Sequence, residues 1–129
     1  PPSYFTVDNK MHYLHQEGRT VFKYAVSSMS DVSAAIAEKN GLTKDNIDWV
    51  VPHQANLRIM TMVAKKLGIP DERMIKTVSE QGNTSAASVP LALDEAVRSG
   101  KISDGSLVLL QAVGAGMAWG SAIVRWRSE

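Results

Sequence analysis

The 129-residue sequence contains no cysteine, which excludes disulfides, thiolate metal sites and a thiol nucleophile within this chain. No apolar run approaches the roughly 20 residues that a membrane-spanning helix requires. Neither sign of charge dominates, because 14 Lys and Arg face 13 Asp and Glu. A net charge of +1 provides no overall field for nucleic acid or a membrane surface. We expect a soluble, cytoplasmic protein that binds neither.

The first 18 residues show little periodicity, open on two prolines and do not begin with methionine. We expect an irregular lead-in over residues 1–18 and interpret the start as that of a fragment. His12 and His15 lie in this segment, but no third ligand is near in sequence. We therefore interpret both as surface histidines and propose no metal site.

Apolar spacing predicts alternating helices and strands over the rest of the chain. Spacings of three and four predict helices from Thr20 to Asn40, over residues 55–67 with Gly68 as the cap, and from Thr84 or Ser85 to Gly100. The run IDWVV predicts a buried strand, and RMIKTV a short strand running into a loop. SLVLLQAV predicts a central strand covered on both faces, and AWGSAIVRW a last strand. This order favours an α/β fold with an antiparallel pair at the end of a mostly parallel sheet.

Chemistry-bearing residues lie where the predicted strands end: His53, Asn83 and the glycines 114 and 116. Open α/β sheets bind ligands at the carboxyl ends of their strands. A lone histidine after a strand is also a common hydrogen-bonded structural residue, and Gly82-Asn83 is common turn chemistry. The GAG stretch does not fit a dinucleotide site, because a predicted strand and not a helix follows it.

Basic residues lie along one edge of the predicted second helix: Arg58, Lys65 and Lys66. A solvated helix face explains them, and so does an anionic partner. The sequence leaves both interpretations open.

Three ordered motifs carry a resemblance to a known family. DWVVPHQANLRIM, GNTSAASVPLALDEAVRSGKI and GAGMAWGSAIVRW closely resemble the C-terminal half of β-ketoacyl-acyl-carrier-protein synthase III, which starts bacterial fatty-acid synthesis. The resemblance runs from GRTVFKYAV to Trp126. It implies that residues 1–129 form the C-terminal half of a thiolase-like α/β fold, a mixed sheet packed with helices. It also implies a Cys-His-Asn triad whose cysteine belongs to the missing N-terminal half.

The resemblance implies catalytic roles for His53 and Asn83. A malonyl thioester that loses its carboxylate develops negative charge on the thioester oxygen, and two fixed N–H donors stabilise that charge. An Asn83 amide N–H and a ring N–H of neutral His53 would do so. The implied reaction is a decarboxylative Claisen condensation of an acyl thioester, such as an acyl-CoA, with malonyl-acyl-carrier protein, without a cofactor.

Further roles follow from the resemblance alone. It implies that Ala115 supplies a backbone N–H at a turn where relatives usually have glycine, and a positive φ there would strain an alanine. Val113 stands where relatives often have phenylalanine. Asn56 is implied near the pantetheine tunnel, and a cationic surface is implied to receive the acidic carrier protein: Lys23, Arg58, Lys65 and Lys66. The full-length protein is expected to be a homodimer.

Two other interpretations remain open. The chain could be a non-catalytic module that binds acyl-carrier protein or acyl-CoA, or part of a related condensing enzyme that uses another thioester. An upstream reading frame with a cysteine-containing half favours the enzyme, whereas a start codon close to Pro1 favours the module. Without cysteine, the isolated chain is expected to have no condensing activity.

Overall fold

The computed structural model describes residues 2–13 and 16–128, so His15 lies outside the described residues. The helices are α1 (Tyr4–Asp8), α2 (Gly18–Lys39), α3 (Leu57–Leu67), α4 (Val78–Gln81) and α5 (Ser88–Arg98). The strands are β1 (Trp49–Pro52), β2 (Leu107–Gly114) and β3 (Ala118–Arg125). Single turns of 3₁₀ helix lie at Lys44–Asn46, Asp71–Arg73 and Ser85–Ala87. No described helix is both long and apolar enough to cross a membrane.

The three strands form one mixed sheet in the order β1-β2-β3. β1 runs parallel to β2, with Trp49 opposite Val108, and β2 runs antiparallel to β3, with Gly114 opposite Ala118. The predicted antiparallel pair at the end of the sheet is therefore confirmed. Its connection is a three-residue turn and not a helix, as expected for GAG outside a dinucleotide motif.

Helices cover both faces of β2, because successive side chains of a strand point to opposite faces. Leu107 and Leu109 pack in one cluster with Met60 of α3, whereas Val108 packs in another with Ala92 of α5. The predicted cover on both faces is confirmed for residues 107–109, where this chain's own helices provide it, whereas Ala112 near the end of β2 is exposed. A third cluster joins α2 to α3 through their apolar stripes.

The predicted RMIKTV strand does not form. The backbone N–H of Ile75 donates to Val50 at 2.9 Å, and Met74 makes a single parallel bridge with Val50. Beyond this bridge, the Gln54 side chain bonds the Ile75 carbonyl and the backbone N–H groups at the start of α4. The strand pairing cannot extend past this bridge, because the Gln54 side chain already bonds the backbone groups that a further pair would use.

Helix starts also differ from those predicted. The lead-in is not irregular throughout, because Ser3 and Thr6 form a capping box that begins α1. α3 begins two residues later than predicted, with Asn56 as its N-cap. The third predicted helix opens with a 3₁₀ turn after Thr84, and α5 itself begins only at Ser88.

Candidate active site

His53 follows β1 directly, where its backbone is held by β2. Its N–H donates to the Gln111 carbonyl at 2.8 Å, continuing the pairing of the parallel strands past Pro52. The half-buried ring lies with Nδ1 2.5 Å from the Ser88 hydroxyl of α5. Burial lowers the pKa of His53 below the usual histidine value, because desolvation disfavours the charged imidazolium. The imidazole is therefore neutral at neutral pH.

Gln54 is a buried residue that sequence reasoning missed. Its signal in the sequence is a polar side chain close to the end of a buried strand. Its Nε2 donates to Pro52 at 2.8 Å and to Ile75 at 3.1 Å, while Oε1 accepts from Thr77 at 2.8 Å and from Val78 at 3.2 Å. All four bonds go to backbone groups. Gln54 therefore fastens the end of β1 to the segment that leads toward Asn83.

Asn83 lies in the loop between α4 and α5. Its Oδ1 accepts a hydrogen bond from the Ser85 backbone N–H at 3.0 Å. The flanking backbone is unusual, because Gly82 has φ 67° and ψ −163° and Ser85 has φ 53°. With its oxygen engaged by Ser85, the Asn83 amide offers its nitrogen as a donor.

His53 and Asn83 line the same cavity, which has a volume of about 600 Å³. This volume falls within the usual range for small-molecule and cofactor sites. The 3₁₀ turn and start of α5 form one wall, and the turn between β2 and β3 forms another. The remaining lining residues are Ser85, Ala86, Val89, Ala112, Val113, Gly114, Ala115, Ala118, Trp119 and Gly120. The structure therefore brings together both predicted catalytic residues and Ala115.

The turn after β2 accommodates alanine at position 115 without backbone strain. Positive φ angles occur instead at Gly116, with 73°, and at Met117, with 57°. Ala115 is not among the described positive-φ residues. The expected conflict between alanine and a left-handed conformation is absent here, because the turn places that conformation on the two following residues.

Asn56 is placed differently from His53 and Asn83. Its Oδ1 accepts from the Arg58 backbone N–H at 2.8 Å, which makes it the N-cap of α3. It is exposed and does not line the described cavity. The structure gives Asn56 a capping role, and its contact with substrate stays a prediction.

The predicted cationic surface lies on the packed helices α2 and α3. Lys23, Arg58, Lys65 and Lys66 are all exposed, and Lys66 Nζ forms an exposed ion pair with Asp31 Oδ1 at 2.8 Å. Sequence reasoning missed that large apolar side chains on the same helices are also exposed. They are Tyr24, Leu57 and Met62.

Sequence comparison relates this chain to named proteins. The family described as 3-Oxoacyl-[acyl-carrier-protein (ACP)] synthase III C terminal matches residues 37–126. Beta-ketoacyl-[acyl-carrier-protein] synthase III 2 of Bacteroides thetaiotaomicron is 61% identical over 98% of this chain and 37% of that protein. The Beta-ketoacyl-[acyl-carrier-protein] synthase III of Phocaeicola vulgatus is 57% identical over the same shares. The chain thus spans little more than a third of these relatives' length.

Solved structures show the same relationship. The 3-oxoacyl-[acyl-carrier-protein] synthase III of Aquifex aeolicus superposes with a TM-score of 0.87 at 42% identity, over 92% of this chain and 38% of that one. The 3-oxoacyl-(acyl carrier protein) synthase III of Pseudomonas aeruginosa superposes with a TM-score of 0.89 at 38% identity. That match covers 99% of this chain and 40% of that one.

Proposed function

Because the chain belongs to the 3-oxoacyl-[acyl-carrier-protein] synthase III family through its C-terminal domain, we propose that it supplies the decarboxylation half of that enzyme's active site. The observation that carries this proposal is the shared cavity of His53 and Asn83. Both side chains have one polar end engaged by the protein, His53 by Ser88 and Asn83 by Ser85. Each has a nitrogen left for a thioester oxygen.

The proposed step begins with a malonyl thioester. The bond to its carboxylate breaks, CO₂ leaves, and the electron pair becomes an enolate on the thioester oxygen. N–H donors from neutral His53 and from Asn83 stabilise that charge as it develops. The lowered pKa of His53 suits this role. A charged imidazolium would protonate the enolate, whereas the neutral ring donates a hydrogen bond and keeps its proton.

The following step needs an acyl group carried on a cysteine, a residue that this chain lacks. The enolate carbon attacks an acyl group on a cysteine, the new carbon–carbon bond forms, and the thiolate leaves. The sequence has no cysteine. We therefore assign that residue to another segment of the protein, and no resident cofactor is needed for the proposed reaction.

The substrates proposed are an acyl-CoA and malonyl-acyl-carrier protein. The helices α2 and α3 carry exposed cations, Lys23, Arg58 and Lys65, together with exposed apolar side chains. Such a surface suits an acidic, amphipathic partner helix, because charge aligns the partner and apolar contact holds it. Lys66 contributes less, since Asp31 already neutralises it. A homodimer of the full-length protein is part of this proposal.

His53→Ala and Asn83→Ala test the proposed chemistry. Each change removes one donor to the enolate, so we expect each to lower decarboxylation of malonyl-acyl-carrier protein by about a hundredfold to a thousandfold. CO₂ release is measured with the whole protein that the natural reading frame encodes. His12→Ala is the matched control, because His12 is exposed and outside the cavity.

Less than a tenfold loss in a folded variant would contradict the assignment. The alternative is a non-catalytic binding module. It would be favoured if the reading frame began near Pro1 and its product bound the carrier protein without decarboxylating malonyl-acyl-carrier protein. The chain by itself is expected to form no ketoacyl product from acetyl-CoA and malonyl-acyl-carrier protein.

Arg58→Glu tests the carrier-protein surface. We expect the KM for malonyl-acyl-carrier protein to rise on the order of tenfold with little change in kcat, because like charges oppose docking. The effect should shrink at high salt, which screens exposed charges. Lys101→Glu is the control, since Lys101 is exposed and lies outside α2 and α3. Equal effects of the two substitutions would contradict a local docking surface.

A further inference from the structure

Ser88 is a buried hydroxyl in direct contact with the site histidine. It is the first residue of α5 and is 1% exposed. Its Oγ lies 2.5 Å from His53 Nδ1 and accepts a hydrogen bond from the Gln54 backbone N–H at 3.2 Å. Ser88 does not line the cavity, so any effect on the reaction passes through the residues that it contacts, His53 and Gln54.

Only one of the two neutral tautomers of His53 satisfies all the hydrogen bonds of Ser88. A hydroxyl has one proton to donate and two lone pairs that accept. Gln54 uses one lone pair. If the Ser88 proton points to Nδ1, that nitrogen is the acceptor and the ring carries its own proton on Nε2. The Ser88 hydroxyl and the Gln54 backbone N–H then both donate to a partner, and the Nε2–H is left for the cavity.

The other neutral tautomer leaves a buried donor without a partner. With the ring proton on Nδ1, Ser88 would accept from both His53 and Gln54, and its own proton would need a third neighbour. Among residues 2–13 and 16–128, Ser88 Oγ has these two hydrogen-bonding neighbours and neither is a carbonyl oxygen. An unsatisfied buried donor carries the full desolvation penalty, which is larger than the net gain from an average hydrogen bond.

We propose that Ser88 is a positioning residue that holds His53 in the tautomer with its proton on Nε2, the ring nitrogen that Ser88 leaves unused. The consequence for catalysis rests on the proposed function, because only an enolate oxygen in the cavity requires that N–H. The tautomer itself does not rest on the reaction. It is a property of the folded protein.

Nitrogen-15 NMR of the imidazole tests the proposal directly, because the two ring nitrogens have different shifts in the two tautomers. The protein is labelled in its natural reading frame and observed at about pH 8, above the ordinary histidine pKa. The His53 signals are identified by their loss in His53→Gln. We expect the pattern of the Nε2–H tautomer. The Nδ1–H pattern would overturn the proposal without any variant.

Two β-branched substitutions then isolate the hydroxyl from the shape of the side chain. Ser88→Thr retains the hydroxyl, whereas Ser88→Val has the same shape without it. We expect Ser88→Thr to keep the Nε2–H pattern and Ser88→Val to populate both tautomers. An unchanged pattern in Ser88→Val would overturn the role of Ser88. If the larger side chains prevent folding, Ser88→Ala removes the hydroxyl without adding volume.

Kinetics separate this proposal from the proposed function. We expect Ser88→Val to lower kcat for decarboxylation by about threefold to tenfold relative to Ser88→Thr, as for loss of one neutral hydrogen bond. If the tautomer shifts in Ser88→Val and kcat does not, Ser88 sets the tautomer but His53 is not the enolate donor. That result overturns the proposed function. If kcat falls and the tautomer does not shift, the positioning role is overturned.

Discussion

At the scale of single residues, the site depends on polar side chains that hold other groups in place. Gln54 uses all four of its hydrogen bonds on backbone groups from two segments of the chain. It is fully buried, so water cannot replace those bonds when the side chain is lost. His53 next to it and Asn83 beyond α4 both depend on the backbone that Gln54 holds.

Gln54→Met should therefore destabilise the protein severely. Methionine has a similar length but leaves the Pro52 and Ile75 carbonyls and two backbone N–H groups without partners. Since each of these four buried orphans costs about 1–3 kcal/mol, we expect a loss of at least about 4 kcal/mol in the free energy of unfolding. Urea denaturation measures it through the midpoint at constant slope.

Gln16→Met is the control for this experiment, because Gln16 is exposed. It should change the free energy of unfolding by less than about 0.5 kcal/mol. A loss below about 1 kcal/mol in Gln54→Met would mean that the backbone finds other partners. In that case the four bonds are not what holds the end of β1.

At the scale of elements, the loop between α4 and α5 has a backbone shape that few residues adopt. Gly82 combines φ 67° with ψ −163°, a region that is essentially restricted to glycine. A Cβ at this position would have no heavy atom within 4 Å outside its chain neighbours. The requirement for glycine is therefore conformational and not steric. Asn83 follows directly, so this shape sets the direction in which the Asn83 side chain leaves the loop.

Gly82→Ala should lower the free energy of unfolding by about 1–3 kcal/mol and also reduce decarboxylation, because relief of the strain moves Asn83. Thermal melts and CO₂ release measure the two effects. Gly18→Ala at the start of α2 is the matched control, since that glycine has an ordinary φ and open space. Full activity in a stable Gly82→Ala protein would show that the loop shape does not position Asn83.

Most elements, the mixed sheet and the shared location of His53 and Asn83 at one cavity could be predicted from the sequence. Long apolar runs such as the one in β2 carry their own signal, and the match to the family confirms the thiolase-like half fold. The RMIKTV strand could not be excluded, because its competitor Gln54 lies in another segment. The contact of Ser88 with His53 could not be predicted either, since the two residues are 35 positions apart. Contacts between distant residues leave no periodic pattern.

At the scale of the whole molecule, exposed apolar side chains lie on β3. β2 is covered by helices, but β3 has a neighbour on only one side of the described sheet. Trp119 is 50% exposed and Val124 is 39% exposed. An open strand edge with exposed apolar side chains can pair with another chain.

The chain by itself should therefore associate in dilute buffer, as measured by sedimentation velocity. Ala122→Lys places a charge on the exposed strand and should increase the fraction of monomer, because a buried lysine opposes edge pairing. Ala122→Ser is the control for the loss of the methyl group. A monodisperse monomer with a cooperative melt in the unchanged chain would contradict association through β3.

The parallel pairing of β1 with β2 also fixes when the site can form. Almost half of the chain lies between the two strands, and the His53 backbone receives its partner, Gln111, from the later one. Parallel contacts between such distant segments form slowly, because a long loop must close first. During synthesis, His53 and Asn83 are made before β2. Substitutions that delay the pairing of β2 with β1 would therefore postpone formation of the cavity without altering the finished structure.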